Sequence, residues 1–390
     1  MKNITRPLQN EVGQAACLSC GSFFPNQLDR LEACPTSWLA FCRNRIALIA
    51  ALCAIALPLL GADTTPTTPP TTPPATAAAA PPTGRKVEKA PVFTRATPDP
   101  VIGDWQGDGG MVAQVYRLPD GKYQANLLTA FDTASNVIAV LPGVAPGGAL
   151  TFSGGGWSGT IDNGHFTGSN GDKKFDLQHV ERTSPTLGAK PPAGAVVLFD
   201  GSNLDSWAKK NGKDWLVENG PVPWKLLPDG TLEIIPTTES IITHKKFGDC
   251  HLHVEFRTIG YPSKSAVFLE ARYEININET YGHVQGNMTG GMDNTTKGSA
   301  PRVRAALPPL AWQTFDADFR APRFDAGGNK TEAPRMTVLL NGVNIYNNQE
   351  LDPPFGAAGR LGEAPTGPIM LQDHQTPLQY RNIWLVEKPE

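Results

Sequence analysis

The sequence predicts an all-β protein, with a small antiparallel β domain followed by a larger two-sheet antiparallel sandwich. Three observations carry that expectation. Short apolar stretches of four to eight residues recur along residues 98–390, with turn residues between them. Glycine (39) and proline (36) are abundant while charged residues make up only 18%, a balance that suits strands and turns better than a helical bundle. Residues 195–390 show no strong 3.6-residue apolar period. A net charge of −3 offers no electrostatic footprint for nucleic acid or an anionic membrane, and neither partner is expected.

Residues 1–62 read as an N-terminal extension ending in a secretory signal. The run 46–60 (IALIAALCAIALPLL) is uncharged, follows Arg43 and Arg45, and leads to Leu60-Gly61-Ala62, a small-residue site for cleavage before Asp63. It is shorter than the ~20 residues of a membrane span, so the mature form is expected to have none. Leu52 before Cys53 does not suit a lipoprotein, and export is the expected localisation. Cys17, Cys20, Cys34 and Cys42 have the elements of a zinc site, but their irregular spacing ahead of an export signal argues against one. Residues 63–97 contain a Thr/Pro/Ala tract; repeated proline makes it an extended, solvated linker.

Residues 98–183 form the small β domain. Alternating stretches are separated by Pro119-Asp120-Gly121 and Asp162-Asn163-Gly164, which supply positive φ or a preset turn, so consecutive hairpins in a meandering sheet or small barrel follow. Trp105 and Trp157 suit either its core or sugar stacking, and no convergent catalytic set is present; an accessory role is expected. Residues 184–194 are the linker out.

Residues 195–390 carry the informative patterns. An apolar strand runs into Asp200-Gly201, and further strands are expected at 231–235, 251–257, 266–278, 312–320, 335–340, 343–346, 369–372 and 378–386. The lone cysteine of this half, Cys250, reads as a small buried hydrophobe. His251 and His253 share a face of their strand and read as surface residues.

The stretch 266–279, read as one long strand, places Val267, Leu269, Ala271, Tyr273, Ile275 and Ile277 on a core face. Glu270, Arg272, Glu274, Asn276 and Asn278 then lie on the other. Two readings stay open for this polar row. It is a solvated face of cross-strand pairs, or a trough whose carboxamides bind sugar hydroxyls; asparagine is a poor strand former, which favours the second. Gln372-Asp373-His374-Gln375 ends a strand before Thr376-Pro377, either as a capped turn or as part of the same site, with Arg381 on the next strand.

The segments LFDGSNLDSW, HVEFR, VFLEARYEININETYG, AWQTFDADFRAPRFD, VLLNGV and GPIMLQDHQTPLQYRNIWL occur in order across 195–390. Together they resemble the 3-keto-disaccharide hydrolase family. The resemblance implies a concanavalin-like jelly roll related to family-16 glycoside hydrolases. It also implies cleavage of 3-keto-glycosides: C2 proton abstraction, elimination of the C1 substituent, then water addition.

Such a site needs a base, an enolate stabiliser and an acid. The matching candidates are Glu274 or Glu279 as base, Arg272 as stabiliser and His374 as acid/base. Glu270, Asn276, Asn278, Gln372, Asp373, Arg381 and Trp312 are the candidate substrate-binding residues. Glu274, Asp373 and His374 offer ligands a divalent cation would accept, although no spacing demonstrates a metal.

Glu274 to Glu279 also resembles the ExDxxE strand of family-16 enzymes, in which a bulge would bring both glutamates about 5–5.5 Å apart for a retaining mechanism. Asn276, in place of the middle carboxylate, argues against that reading. The chain departs from the keto-sugar family at Lys264-Ser265-Ala266 (commonly Asn-Ser-Gly), at Glu270 (commonly arginine) and in the 294–304 loop. A non-catalytic carbohydrate-binding module with a diverged site is the alternative function.

Overall fold

The structure, a computed structural model, describes residues 92–131, 137–145, 149–283, 288–292 and 300–389. The expected signal segment, the upstream cysteines and the Thr/Pro tract lie outside them. The described residues all fall within one compact unit, Arg85–Glu390. No helix among them is long and apolar enough to cross a membrane.

Eight consecutive antiparallel strands, from Gly103–Gln106 to Lys174–Val180, close into a barrel when the first pairs with the last. The turn chemistry read from the sequence is what joins them. Asn163 and Gly164, both at positive φ, make the two-residue turn between Asp162 and its cross-strand partner His165. Inward-facing residues fill a barrel of this size completely. Trp105 and Trp157 are 1% and 5% exposed and belong to that core with Phe152, Phe166 and Leu177. They are packing residues, not sugar platforms.

The remainder folds into two antiparallel sheets packed face to face. The eight-stranded sheet is centred on Cys250–Thr258, Gln313–Arg320 and Leu378–Glu387. The six-stranded sheet runs in the order Asp214–Glu218, Trp207–Asn211, Ile241–Phe247, Gly367–Leu371, Lys264–Leu269, Tyr273–Asn278. Alternate residues of both sheets meet in one core: Leu252, Val254 and Phe256 from one side, Val267, Ile275 and Leu371 from the other. Cys250 is fully buried in it, and desolvation pushes its thiol far above the ordinary range.

The expected single strand over 266–279 is in fact a hairpin. Lys264–Leu269 and Tyr273–Asn278 pair antiparallel around a turn in which Arg272 N–H bonds the Leu269 carbonyl at 2.9 Å. Glu270 and Ala271 both sit at φ 54°, the left-handed geometry of a type I′ turn. Non-glycine residues there cost on the order of 1 kcal/mol each. The hairpin keeps parity: Ala266 faces Asn276 and Phe268 faces Glu274, so even-numbered residues of both strands share the sheet's outer face.

Candidate functional site

Register across the six-stranded sheet builds three rows on its outer face. Ala208, Ile242, Met370, Phe268 and Glu274 form the first, continuous from strand to strand. Ile242, Met370 and Phe268, with Ala266 and Ala271, form a small second core, and Trp215 packs edge-on against Phe268 at 5.5 Å. The second row holds Gln372, Ala266 and Asn276, tied by the Gln372 N–H to Ala266 carbonyl bond at 3.0 Å. The third holds Lys264 opposite Asn278, with His374 beside Lys264. Strands lie about 4.8 Å apart, so Gln372 and Asn276 stand two strands, about 10 Å, apart across Ala266, which like Asn276 is almost wholly buried. Glu274, Asn276, Asn278, Gln372 and His374 are thus brought together.

Three carboxamide atoms on this face are buried without a hydrogen-bond partner among the described residues: Asn276 Oδ1, Asn278 Nδ2 and Gln372 Oε1. An unsatisfied buried polar group costs about 1–3 kcal/mol, so three on one face need an explanation. The backbones of the two asparagines are engaged. Asn276 exchanges backbone bonds with Gly290 and Gly291 at 2.7 and 2.8 Å and donates its Nδ2 to the Gly291 carbonyl at 3.3 Å. The Asn278 N–H donates to Thr289 Oγ1 at 3.0 Å. Segment 288–292 thereby seals the free edge of the sheet. Desolvation, followed by the Lys264 ammonium, holds the His374 imidazole below its ordinary value. His374 is accordingly a neutral proton acceptor at neutral pH.

The other expected site residues lie elsewhere. Glu279 continues the core parity of Ile277 and turns inward, where its carboxylate accepts from Thr258 Oγ1 of the opposite sheet and from Tyr281 N–H at 3.4 Å. Burial pushes this carboxyl up to about 7. No bulge interrupts the pairing of Tyr273–Asn278, so Glu274 and Glu279 point to opposite sides and cannot act as a retaining pair.

Glu270 and Arg272 sit in the hairpin turn, 1% and 3% exposed, and line no trough. Arg272 spends its guanidinium on the carbonyls of Gly362 (2.6 Å) and Glu270 (3.0 Å). At about 3.3 Å per residue it is ~23 Å along the strand from Glu279. Asp373 caps the Thr238–Glu239 turn through two backbone N–H bonds of 2.9 and 3.2 Å, which removes it as a ligand. Among the described residues no three His, Cys, Asp or Glu side chains gather around a cation position, so Glu274, Asp373 and His374 do not form the set the sequence suggested.

Trp312 and Arg381 belong to the outer face of the other sheet, about 10 Å of sandwich away from the three rows. There Trp312 lies between Arg257 and Arg381, whose guanidinium carbons stand 4.6 and 4.1 Å from its ring centroid. Arg381 Nε donates to Glu255 at 2.7 Å. Glu255 is fully buried, and although desolvation opposes it, the His253 ring 3.6 Å away and bonds from Asn382, Arg381 and Gly188 N–H hold its carboxyl down at about 2. His253, expected at the surface, is also fully buried, bonded to Asp316 at 2.6 Å and stacked on Trp384 at 4.8 Å. This network is structural.

Sequence reasoning missed Lys264, Lys210 and Trp215. Lys264 was visible only as a departure from the family pattern, and its alternation with Ala266 and Phe268 was the available signal. Lys210 and Trp215 required the cross-strand pairing of Trp207–Asn211 with its two neighbours, Asp214–Glu218 and Ile241–Phe247. Lys210 Nζ pairs with Glu239 and lies 5.9 Å from the Trp215 ring, closing one end of the face.

Comparison with known proteins bears on the same half of the chain. The family model described as the 3-keto-alpha-glucoside-1,2-lyase-like domain matches residues 194–386. No curated protein matches the chain. Among solved structures, a candidate glycosyl hydrolase of Parabacteroides distasonis is 28% identical, with 50% of this chain and 85% of that one covered and a TM-score of 0.43. Another from the same organism is 19% identical over 50% and 99%, with a TM-score of 0.35. The β-glucanase of Bacillus licheniformis is 12% identical over 50% and 99%, with a TM-score of 0.27. The sandwich, residues 194–386, therefore belongs to the 3-keto-alpha-glucoside-1,2-lyase-like family of carbohydrate-acting domains.

Proposed function

We propose that the outer face of the six-stranded sheet binds a 3-keto-glycoside and cleaves it by elimination and hydration. The observation that carries this reading is the trio of carboxamide atoms without a hydrogen-bond partner among the described residues, Asn276 Oδ1, Asn278 Nδ2 and Gln372 Oε1, on one sheet face with a neutral imidazole. Sugar hydroxyls both donate and accept, and so match carboxamides without the charge penalty of buried ions.

In this account His374 removes the C2 proton, which the C3 ketone acidifies, and the electron pair moves into an enolate whose oxygen faces the Lys264 ammonium. The enolate collapses to regenerate the ketone and form the C1–C2 double bond, breaking the C1–O bond. Glu274, in its acid form, gives its proton to the departing oxygen. As a carboxylate it then takes a proton from the water that adds at C1, while the His374 imidazolium, after exchange with solvent, delivers a solvent-derived proton to C2. The net change is hydrolysis.

The reading is tested by incubating the purified protein with a 3-keto-α-glucoside in deuterated water. Release of both sugars with deuterium at C2 is expected. Release without deuterium at C2 would show direct displacement at C1 and overturn the elimination. The proposal includes export through the 46–60 signal, which N-terminal sequencing of secreted protein, expected to begin at Asp63, would test.

A further inference from the structure

The barrel is attached to the sandwich at three places, more than a spacer requires. On entry, Thr94–Arg95 pairs antiparallel with Gly260–Tyr261. On exit, the 184–189 segment docks on the outer face of the eight-stranded sheet: Thr186 Oγ1 donates to Asp316 at 2.6 Å, Gly188 N–H donates to Glu255 at 2.5 Å, and the Ala189 carbonyl accepts from Asn382 at 3.0 Å.

The third contact is the informative one. Asp104 of the first barrel strand is 1% exposed. It accepts from Arg182 Nε at 2.7 Å, from Gln114 at 3.1 Å, and from the Tyr281 hydroxyl at 2.7 Å. Asn126 Nδ2, also from the barrel, donates to the Gly282 carbonyl at 2.5 Å. Gly282 has φ 74°, and a Cβ there would come within 2.2 Å of the Tyr116 ring, so only glycine permits the barrel this close.

Tyr281 and Gly282 follow directly on the strand that carries Glu274, Asn276 and Asn278. The same turn reaches the sheet edge by a second route. Thr280 Oγ1 accepts from Thr289 N–H at 3.2 Å, Thr289 Oγ1 bonds Asn278, and Gly290 and Gly291 bond Asn276. A path of hydrogen bonds joined by the Thr280–Tyr281 and Thr289–Gly290 peptide links thus runs from the barrel's buried aspartate to the two asparagines.

We infer that the barrel is a positioning element of the sheet-face site, fixing through Asp104–Tyr281 and Asn126–Gly282 the turn on which Asn276 and Asn278 depend. The structural half of this inference stands on these contacts alone; its consequence for catalysis rests on the proposed function.

Hydrogen exchange in the full chain separates the two. Tyr281→Phe removes one hydroxyl and Asn126→Ala one amide, and neither change empties a core. Exchange at the Asn276 and Gly290 amides should rise roughly tenfold in each variant, the scale of one lost buried hydrogen bond, with Cys250–Thr258 unchanged. With a 3-keto-α-glucoside, KM should rise by a similar factor while kcat changes little, a split that general destabilisation would not produce. Unchanged exchange at Asn276 and Gly290 in both variants would overturn the inference, whatever the activity. A wild-type protein that turns over no keto-glycoside would remove the proposed reaction, leaving exchange to decide the positioning role.

Discussion

Replacing Glu270 by glutamine should stabilise this protein, and the gain should grow with pH. Glu270 is 1% exposed in the hairpin turn, and neither carboxylate oxygen has a hydrogen-bond partner among the described residues. The neighbouring guanidinium of Arg272 is committed to backbone carbonyls. Desolvation therefore dominates and pushes the carboxyl from 4.5 up to about 8. The sign follows from that direction. Below about pH 4.5 the group is protonated in both folded and unfolded chains and costs nothing. As pH rises towards 8 the unfolded chain ionises freely while the folded one resists, so stability is lost across that window. At 1.36 kcal/mol per pKa unit, roughly 4 kcal/mol disappears between pH 5 and 8.5. Glutamine keeps the shape and cannot ionise. Urea unfolding of both proteins at pH 5 and pH 8.5, at fixed salt, should give a wild-type loss larger than that of Glu270→Gln by several kcal/mol. A smaller common loss from Glu279, pushed up to about 7, should persist in both. Identical pH dependence in the two proteins would refute the reasoning.

Other outcomes follow from the same structure. Arg381→Ala strands the Glu255 charge beneath the 184–189 segment and should lower stability by about 2–4 kcal/mol in thermal or denaturant unfolding. Because Glu255 is held down at about 2, its contribution is present above pH 4.5 and lost as pH falls towards 2, so acid unfolding should steepen there. The acid limb of kcat/KM should lie below pH 6.5, where His374 protonates, and Lys264→Gln should move it upward. Native protein should resist alkylation at Cys250, measured by mass spectrometry, and become reactive on unfolding.

Much of the fold was legible because alternation and turn chemistry agree over most of the chain. Asp162-Asn163-Gly164 announced its hairpin, and His251 to Arg257 announced a strand with one apolar face. The 266–279 stretch misled for a definite reason. Its turn uses Glu270 and Ala271 at positive φ, where asparagine or glycine would have been the readable signal. An unbroken alternation therefore concealed a reversal. Parity survived it because Leu269 pairs with Tyr273, so Glu274, Asn276 and Asn278 share a face as expected, while Glu270 and Arg272, expected beside them, fall in the turn. Glu279 misled because a bulge was needed to turn it, and none is present. Trp312 and Arg381 lie on strands whose sheet assignment depends on long-range pairing, which local sequence does not encode. The barrel's attachment through Asp104 and Tyr281 joins residues 177 positions apart and left no trace in either segment.

The most direct measurement is the rate of sugar release from a 3-keto-α-glucoside by wild-type protein and three variants, each first shown to fold. The rate should fall at least 100-fold in His374→Ala and Glu274→Gln, as expected for lost proton transfer, and stay within about threefold in Trp312→Ala on the opposite sheet. No release by the wild type, or a loss that follows Trp312 and spares His374, would contradict a catalytic face on the six-stranded sheet.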